Sequence, residues 1–311
     1  MAVLLSAGCA TTGVPAQPPN GKASAGTIAV GGSPESAAEP KKPPVRVHST
    51  LPEGREAQLP HEEGRRTTIR DPGPDLANYP NASYTLPQGG IYVEMSPVNF
   101  QGASINGPKL WNWEILLRYG LTDAAELRLF TQGLSVQGPP QSTAGFGPLT
   151  FDTKIHLVEH ESDHFNYSLG IEAYVQTPWG SPAFTNGTQF SFTFNVDHAL
   201  PWDVAFNWNL GALVLKDESG DEIALPSFQW AFQREIVEDF ALFLQGYGNQ
   251  MALPRVAASG RTAEDFLKQH SIGAGFQWTL NDRVAVYGSY SAGIGPNPPS
   301  YLGTLGFAAA F

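Results

Sequence analysis

Between Gln189 and Asp197 the chain switches strictly between two kinds of side chain: Gln189, Ser191, Thr193, Asn195 and Asp197 alternate with Phe190, Phe192, Phe194 and Val196. A period of two belongs to an extended strand whose faces meet different surroundings. The next stretch sets Val204, Phe206, Trp208 and Leu210 against Asp203, Ala205, Asn207 and Asn209. The preceding one sets Phe165, Tyr167, Leu169, Ile171 and Val175 against Asn166, Ser168, Glu172 and Gln176. A soluble sandwich also alternates, but its outer face is usually rich in Lys and Glu. Here the polar face is mostly Asn, Gln, Ser, Thr and Gly, and the apolar face carries bulky aromatics, as in a barrel wall with lipid outside and water within.

The alternation continues along the chain. Strands are expected near residues 90–99, 109–120, 123–134, 146–158, 164–178, 187–199, 202–216, 222–234, 238–250, 267–279, 282–293 and 301–311. Five short connections carry Asp123, Asp163, Asp203, Asp239 and Asp282, and they alternate with longer Gly/Pro/Ser-rich ones such as Gln137–Gly145 and Met251–Asp265. Short turns on one side and long loops on the other follow the outer-membrane rule, in which the short side is periplasmic. The aspartates read as backbone acceptors in Asx-type turns. Tyr119, Phe165, Tyr167, Trp202 and Trp278 suit one interfacial girdle, and Trp111 and Phe190 the other. No window holds eighteen consecutive apolar residues, which excludes a transmembrane helix and leaves strands as the means of crossing. The expectation is therefore a twelve-stranded antiparallel transmembrane β-barrel over residues 84–311, in a bacterial outer membrane with both termini periplasmic.

The N-terminal quarter differs. Residues 1–9 resemble the end of a lipoprotein signal, with Cys9 as the acylated residue, and residues 10–83 are a Pro/Ala/Gly/Ser-rich stretch expected to be a disordered linker. A lone cysteine excludes an internal disulfide. Residues 1–72 hold eight Lys/Arg against seven Asp/Glu, and residues 73–311 ten against twenty-two, so the net charge of −11 belongs to the barrel region. Nucleic acid is excluded as a partner, because phosphate binding needs a basic face.

Extending the alternation gives a set of inward side chains: Glu94, Glu114, Arg118, Glu126, Arg128, Asp152, Lys154, Glu172, Tyr247 and Tyr287 as candidate solute-lining residues, with Asp197, Asp203, Gln229, Gln245 and Arg283 beside them. Arg118, Glu126 and Arg128 lie across or beside one tight turn, where opposite charges can pair. Such a lumen serves either as a polar constriction for solutes or as a paired network that stiffens a closed barrel. A lipid hydrolase needs a nucleophile beside a base. The only tempting pair, His270 and Ser271, is adjacent on a strand and points to opposite faces. His156, His160, His164 and His198 fit no standard zinc spacing, so neither a metal nor a cofactor is expected.

The string Leu116-Leu117-Arg118-Tyr119-Gly120-Leu121-Thr122-Asp123-Ala124-Ala125-Glu126-Leu127-Arg128-Leu129 resembles a hairpin of the outer-membrane barrel family labelled MetA-pathway of phenol degradation, a transporter-like family. Pro87–Met95 with Glu94, and Gly145–Lys154, are similar to two further family segments. The resemblance implies a porin-like channel passing small organic, including aromatic, compounds. The alternative is a structural or assembly lipoprotein with a closed lumen. The C-terminal Phe311, after alternating apolar residues, resembles the signal read by the barrel-assembly machinery. The remaining partners are outer-membrane lipid and a small solute of unknown identity.

Overall fold

A computed structural model describes residues 66–311 apart from 105–107, 141, 162–165, 186, 217–220, 250–268 and 296. Cys9 and most of the expected linker lie outside the described residues. The described chain forms β1 (Ile91–Gln101), β2 (Leu110–Thr122), β3 (Ala125–Thr131), β4 (Leu134–Gln137), β5 (Thr143–Phe146), β6 (Leu149–His160), β7 (Tyr167–Gln176), β8 (Gln189–Leu200), β9 (Val204–Lys216), β10 (Glu222–Val237), β11 (Phe240–Gly248), β12 (His270–Asn281), β13 (Val284–Ile294) and β14 (Tyr301–Ala310). β3 and β4 are one stave broken at Gly133, whose φ of +55° interrupts the pleat. β5 and β6 are likewise one stave broken at Gly147-Pro148. The fourteen segments thus make the expected twelve staves, each antiparallel to its neighbour. β1 pairs with β2 on one side and β14 on the other, so the sheet closes without a free edge.

Closure follows from the two-faced strands, because it gives each face one environment. On β8, Phe190, Phe192 and Phe194 are 52%, 43% and 41% exposed on the outside, whereas Ser191, Thr193 and Asn195 are 6%, 1% and 0% exposed on the inside. Tyr119, Trp202 and Trp278 are exposed near the short-turn rim. The turns there use the tolerance of Asp for left-handed backbone: Asp203 and Asp239 have φ of 58° and 68°. Neighbouring residues also accept backbone N–H groups at these turns. Asn281 Oδ1 takes the N–H groups of Arg283 (2.8 Å) and Val284 (3.0 Å), and Thr122 Oγ1 takes that of Ala124 (3.2 Å). Asp163 lies outside the described residues.

One stretch departs from the expected linker. Residues 66–83, together with 84–88, run inside the barrel instead of away from it. They carry what a linker lacks: Ile69, Leu76, Tyr79, Tyr84 and Leu86 are 0%, 3%, 8%, 5% and 0% exposed. Averaged over residues 10–83, Ile69, Leu76 and Tyr79 are diluted by Pro, Ser and Gly. Packed into a pre-closed wall, they leave water without needing secondary structure of their own.

Candidate functional site

The inner wall carries its charges on neighbouring staves. Register sets Arg128 opposite Asp152, Glu126 opposite Lys154 and Lys154 opposite Glu172, so opposite charges meet across the ladder. Arg118 and Arg128 face each other as like charges. Glu126 resolves that conflict: its two oxygens take Arg118 Nε at 2.6 Å and Nη2 at 3.1 Å, a bidentate clamp. Arg118 Nη1 reaches Glu94 Oε1 at 3.0 Å, Arg128 Nε reaches Asp152 Oδ2 at 3.1 Å, and Arg128 Nη1 meets Glu172. A final carboxylate comes from the N-terminal segment. Asp75 Oδ2 lies 2.6 Å from Lys154 Nζ, 3.2 Å from Arg128 Nη2 and 3.4 Å from Arg118 Nη1. These side chains are no more than 3% exposed, so each charge depends on its partners rather than on solvent.

The segment itself is seated by wall side chains. Six of its amides donate to six of them: Leu76 to Glu94 Oε2, Tyr79 to Gln245 Oε1, Asn81 to Asn209 Oδ1, Ser83 to Asp197 Oδ2, Leu86 to Glu126 Oε2 and Gln88 to Asp123 Oδ1, at 2.6–3.0 Å. Asn209 also donates Nδ2 to the Asn81 carbonyl at 2.9 Å, so one side-chain amide grips the segment as a neighbouring strand would. Apolar contacts finish the seat. Ile69, Leu76, Ala77 and Leu86 cluster with Tyr92, Leu116, Phe130 and Tyr287, and Tyr79 meets the Tyr247 ring edge-on at 5.2 Å. Two inward glycines make room. A Cβ on Gly120 would lie 2.0 Å from the Pro87 carbonyl oxygen, and one on Gly170 would lie 2.6 Å from that of Ser83.

At the short-turn rim the turn aspartates hold the segment's ends. Arg70 bonds Asp239 and, through Nε at 3.0 Å, Asp282. Its pKa is raised chiefly by the Asp239 hydrogen bond, so the latch stays charged. Asp123 receives Gln88 N–H, and its carbonyl receives the Thr85 hydroxyl at 2.7 Å. The half of the lumen nearer the long loops is different. Gln132 Nε2, Thr150 Oγ1 and Gln189 Nε2 are buried with no hydrogen-bond partner among the described residues, and Thr150 is opposite Gln176, itself opposite Gln189. They form a buried polar band on the inner face.

All ten candidate lining residues are buried, at no more than 5% exposure. Arg118, Glu126, Arg128, Asp152, Lys154, Glu172 and Glu94 converge in the cluster. Glu114 stands apart from it toward the long loops, Tyr247 packs on Tyr79, and Tyr287 Oη lies 3.1 Å from Ser96 Oγ. Asp197, Gln229 and Gln245 are inward as expected. Asp203 and Arg283 are not: β9 and β13 begin one residue later, and both side chains are exposed at the turns. His270 faces out and Ser271 in, so the two cannot form a nucleophile–base pair. His156 stacks on Tyr84 inside (5.3 Å), and His198 stacks on Phe206 on the outer face (5.9 Å). His164 is outside the described residues, and no group of three or more possible metal ligands occurs among the described residues. Sequence reasoning missed Asp75, Asn81 and Ser83, all within the stretch read as linker. The inward Gly120 and Gly170 were the one signal that could have found them, since a glycine amid inward polar residues marks a close backbone approach.

Residues 75–311 match the model of a family described as "Putative MetA-pathway of phenol degradation". No curated protein matched the chain in sequence. Among solved structures, the COG4313 outer membrane channel from Pseudomonas putida F1 is 16% identical with a TM-score of 0.51, covering 75% of this chain and 99% of its own. The NanC porin is 12% identical, with a TM-score of 0.42 and 70% and 98% covered. The translocator domain of the autotransporter NalP from Neisseria meningitidis is 12% identical, with a TM-score of 0.41 and 71% and 87% covered. At such identities the first likeness speaks to a shared barrel fold.

Proposed function

The chain belongs to this phenol-degradation family, and on that premise we propose that it is an outer-membrane channel for small organic compounds, closed in the present conformation by its own residues 68–88. One observation carries the reading. The segment is held to the wall mainly by side-chain contacts, with Ile69 N–H to the Asp282 carbonyl (2.9 Å) as a main-chain bond at its start, and the wall closes through β1 and β14 without it. Withdrawal would therefore break side-chain contacts and the Ile69–Asp282 main-chain bond and leave the strand ladder intact. The vacated lumen would be polar throughout, with the Glu94–Glu172 charge cluster as its constriction and the Gln132–Thr150–Gln189 band above it. The Pseudomonas putida protein that shares the barrel fold is an outer membrane channel, which agrees with this use of the architecture. We place the short-turn rim, both termini and an acylated Cys9 in the periplasm, and assign Phe311 to recognition by the barrel-assembly machinery.

A second reading, a permanently closed structural barrel, is favoured by the cost of separating the buried charges of Asp75 from those of the wall. Planar-bilayer conductance of the chain lacking residues 68–86 separates the two. The channel reading expects steady conductance from the deletion and little from the full chain. A deletion variant that folds, as judged by heat-modifiable gel migration, yet stays electrically silent supports the closed barrel.

A further inference from the structure

We propose that Arg118, Arg128 and Lys154 form a binding subsite for the carboxylate of a small organic acid, filled in this structure by the chain's own Asp75. The proposal rests on the channel reading and adds a ligand class to it. Asp75 Oδ2 is the one point where all three cations converge, at 3.4, 3.2 and 2.6 Å. Wall carboxylates serve the arginines from other directions: Glu94 and Glu126 hold Arg118, and Asp152 and Glu172 hold Arg128. Lys154 is served less well. Its other ion-pair contact is Glu172 Oε1 at 3.4 Å, and its side chain is fully buried. When Asp75 withdraws, the ammonium loses its shortest partner and keeps Glu172, and an incoming carboxylate can take the place that Asp75 Oδ2 leaves between the three cations.

The charge balance permits the exchange. With Asp75 seated, five carboxylates (Asp75, Glu94, Glu126, Asp152 and Glu172) share three cations. Withdrawal leaves four, and an incoming carboxylate restores the count that the closed lumen already holds. A neutral compound of equal size leaves Lys154 with Glu172, at 3.4 Å, as its ion-pair partner and does not replace its shortest contact. Asp75 is thus a tethered competitor, and a free acid acts against its high local concentration.

Calorimetric titration of the detergent-solubilised full chain with benzoate, and with benzyl alcohol as the neutral counterpart, tests the subsite. Asp75→Asn keeps the shape and removes the competing charge. Benzoate should bind this variant at least tenfold more tightly than the parent, benzyl alcohol should not distinguish them, and adding Lys154→Gln should abolish the gain. Equal benzoate affinity in parent and Asp75→Asn, or benzyl alcohol binding as well as benzoate, overturns the proposal. If Asp75→Asn fails to fold, the chain lacking residues 68–86 takes its place, again with and without Lys154→Gln. Conductance of that deletion without benzoate binding sinks the subsite and leaves the channel standing. Benzoate binding without conductance does the reverse.

Discussion

The wall and the segment it encloses hold together by different chemistry. Each stave is joined to the next by a run of main-chain hydrogen bonds, as where thirteen residues of β10 align with thirteen of β9 from Glu222–Lys216 to Arg234–Val204. Six of the segment's amides instead end on side chains, those of Glu94, Asp123, Glu126, Asp197, Asn209 and Gln245, and Ile69 N–H reaches a carbonyl, that of Asp282. A ladder is indifferent to most side-chain changes, because its bonds belong to the backbone. A seat made of side chains can be dismantled residue by residue while the barrel persists.

Three substitutions sharpen that contrast. Arg118→Leu strikes where the regions share a residue, leaving Glu94 and Glu126 buried without their main counter-ion and the Gly73 carbonyl without its donor. Urea unfolding in lipid vesicles should show a loss of about 3–5 kcal/mol, the usual cost of stranding a buried charge. A loss near zero would mean that the cluster is already hydrated. Gly170→Val belongs to the seat, since its side chain would enter the space of the Ser83 backbone. Unfolding should change by about 1–3 kcal/mol, while proteolysis within residues 70–88 becomes much faster. Unchanged proteolysis would show that the segment simply shifts aside and stays in. Arg70→Gln removes a latch at the rim where Asp282 is well exposed, so global stability should move by only about 0–1 kcal/mol. Its effect should appear as more frequent brief openings in bilayer recordings, and a record matching the parent would deny the latch a role.

The wall was legible in the sequence because alternation is a local signal. Phe190 to Asp197 states its own two faces, and Asp123, Asp203, Asp239 and Asp282 mark turns whatever else the chain does. The charge cluster was half legible. Parity put Arg118, Glu126 and Lys154 inside, but which acid meets which base depends on stagger between staves, a property of the closed sheet. The segment was illegible for a physical reason: it has no periodicity, because it borrows its partners from the wall. Tyr79 and Leu86 do not announce a core when their neighbours are Pro80 and Pro87. The turn aspartates were seen as turn residues, and their long-range partners were not: Asp123, Asp239 and Asp282 bind residues from another part of the chain.

The separation in sequence between Arg70 and Asp282, 212 residues, carries a consequence for how the molecule comes together. The segment leaves the ribosome before any stave, yet its anchors are spread from β1 to the β12–β13 turn, and its last ones arrive near the end of synthesis. Contacts of such span form late, after the loops between them have closed. The segment's seat is therefore complete only when the β12–β13 turn is in place, and a barrel that shut without it would have to admit it afterwards through the short-turn rim.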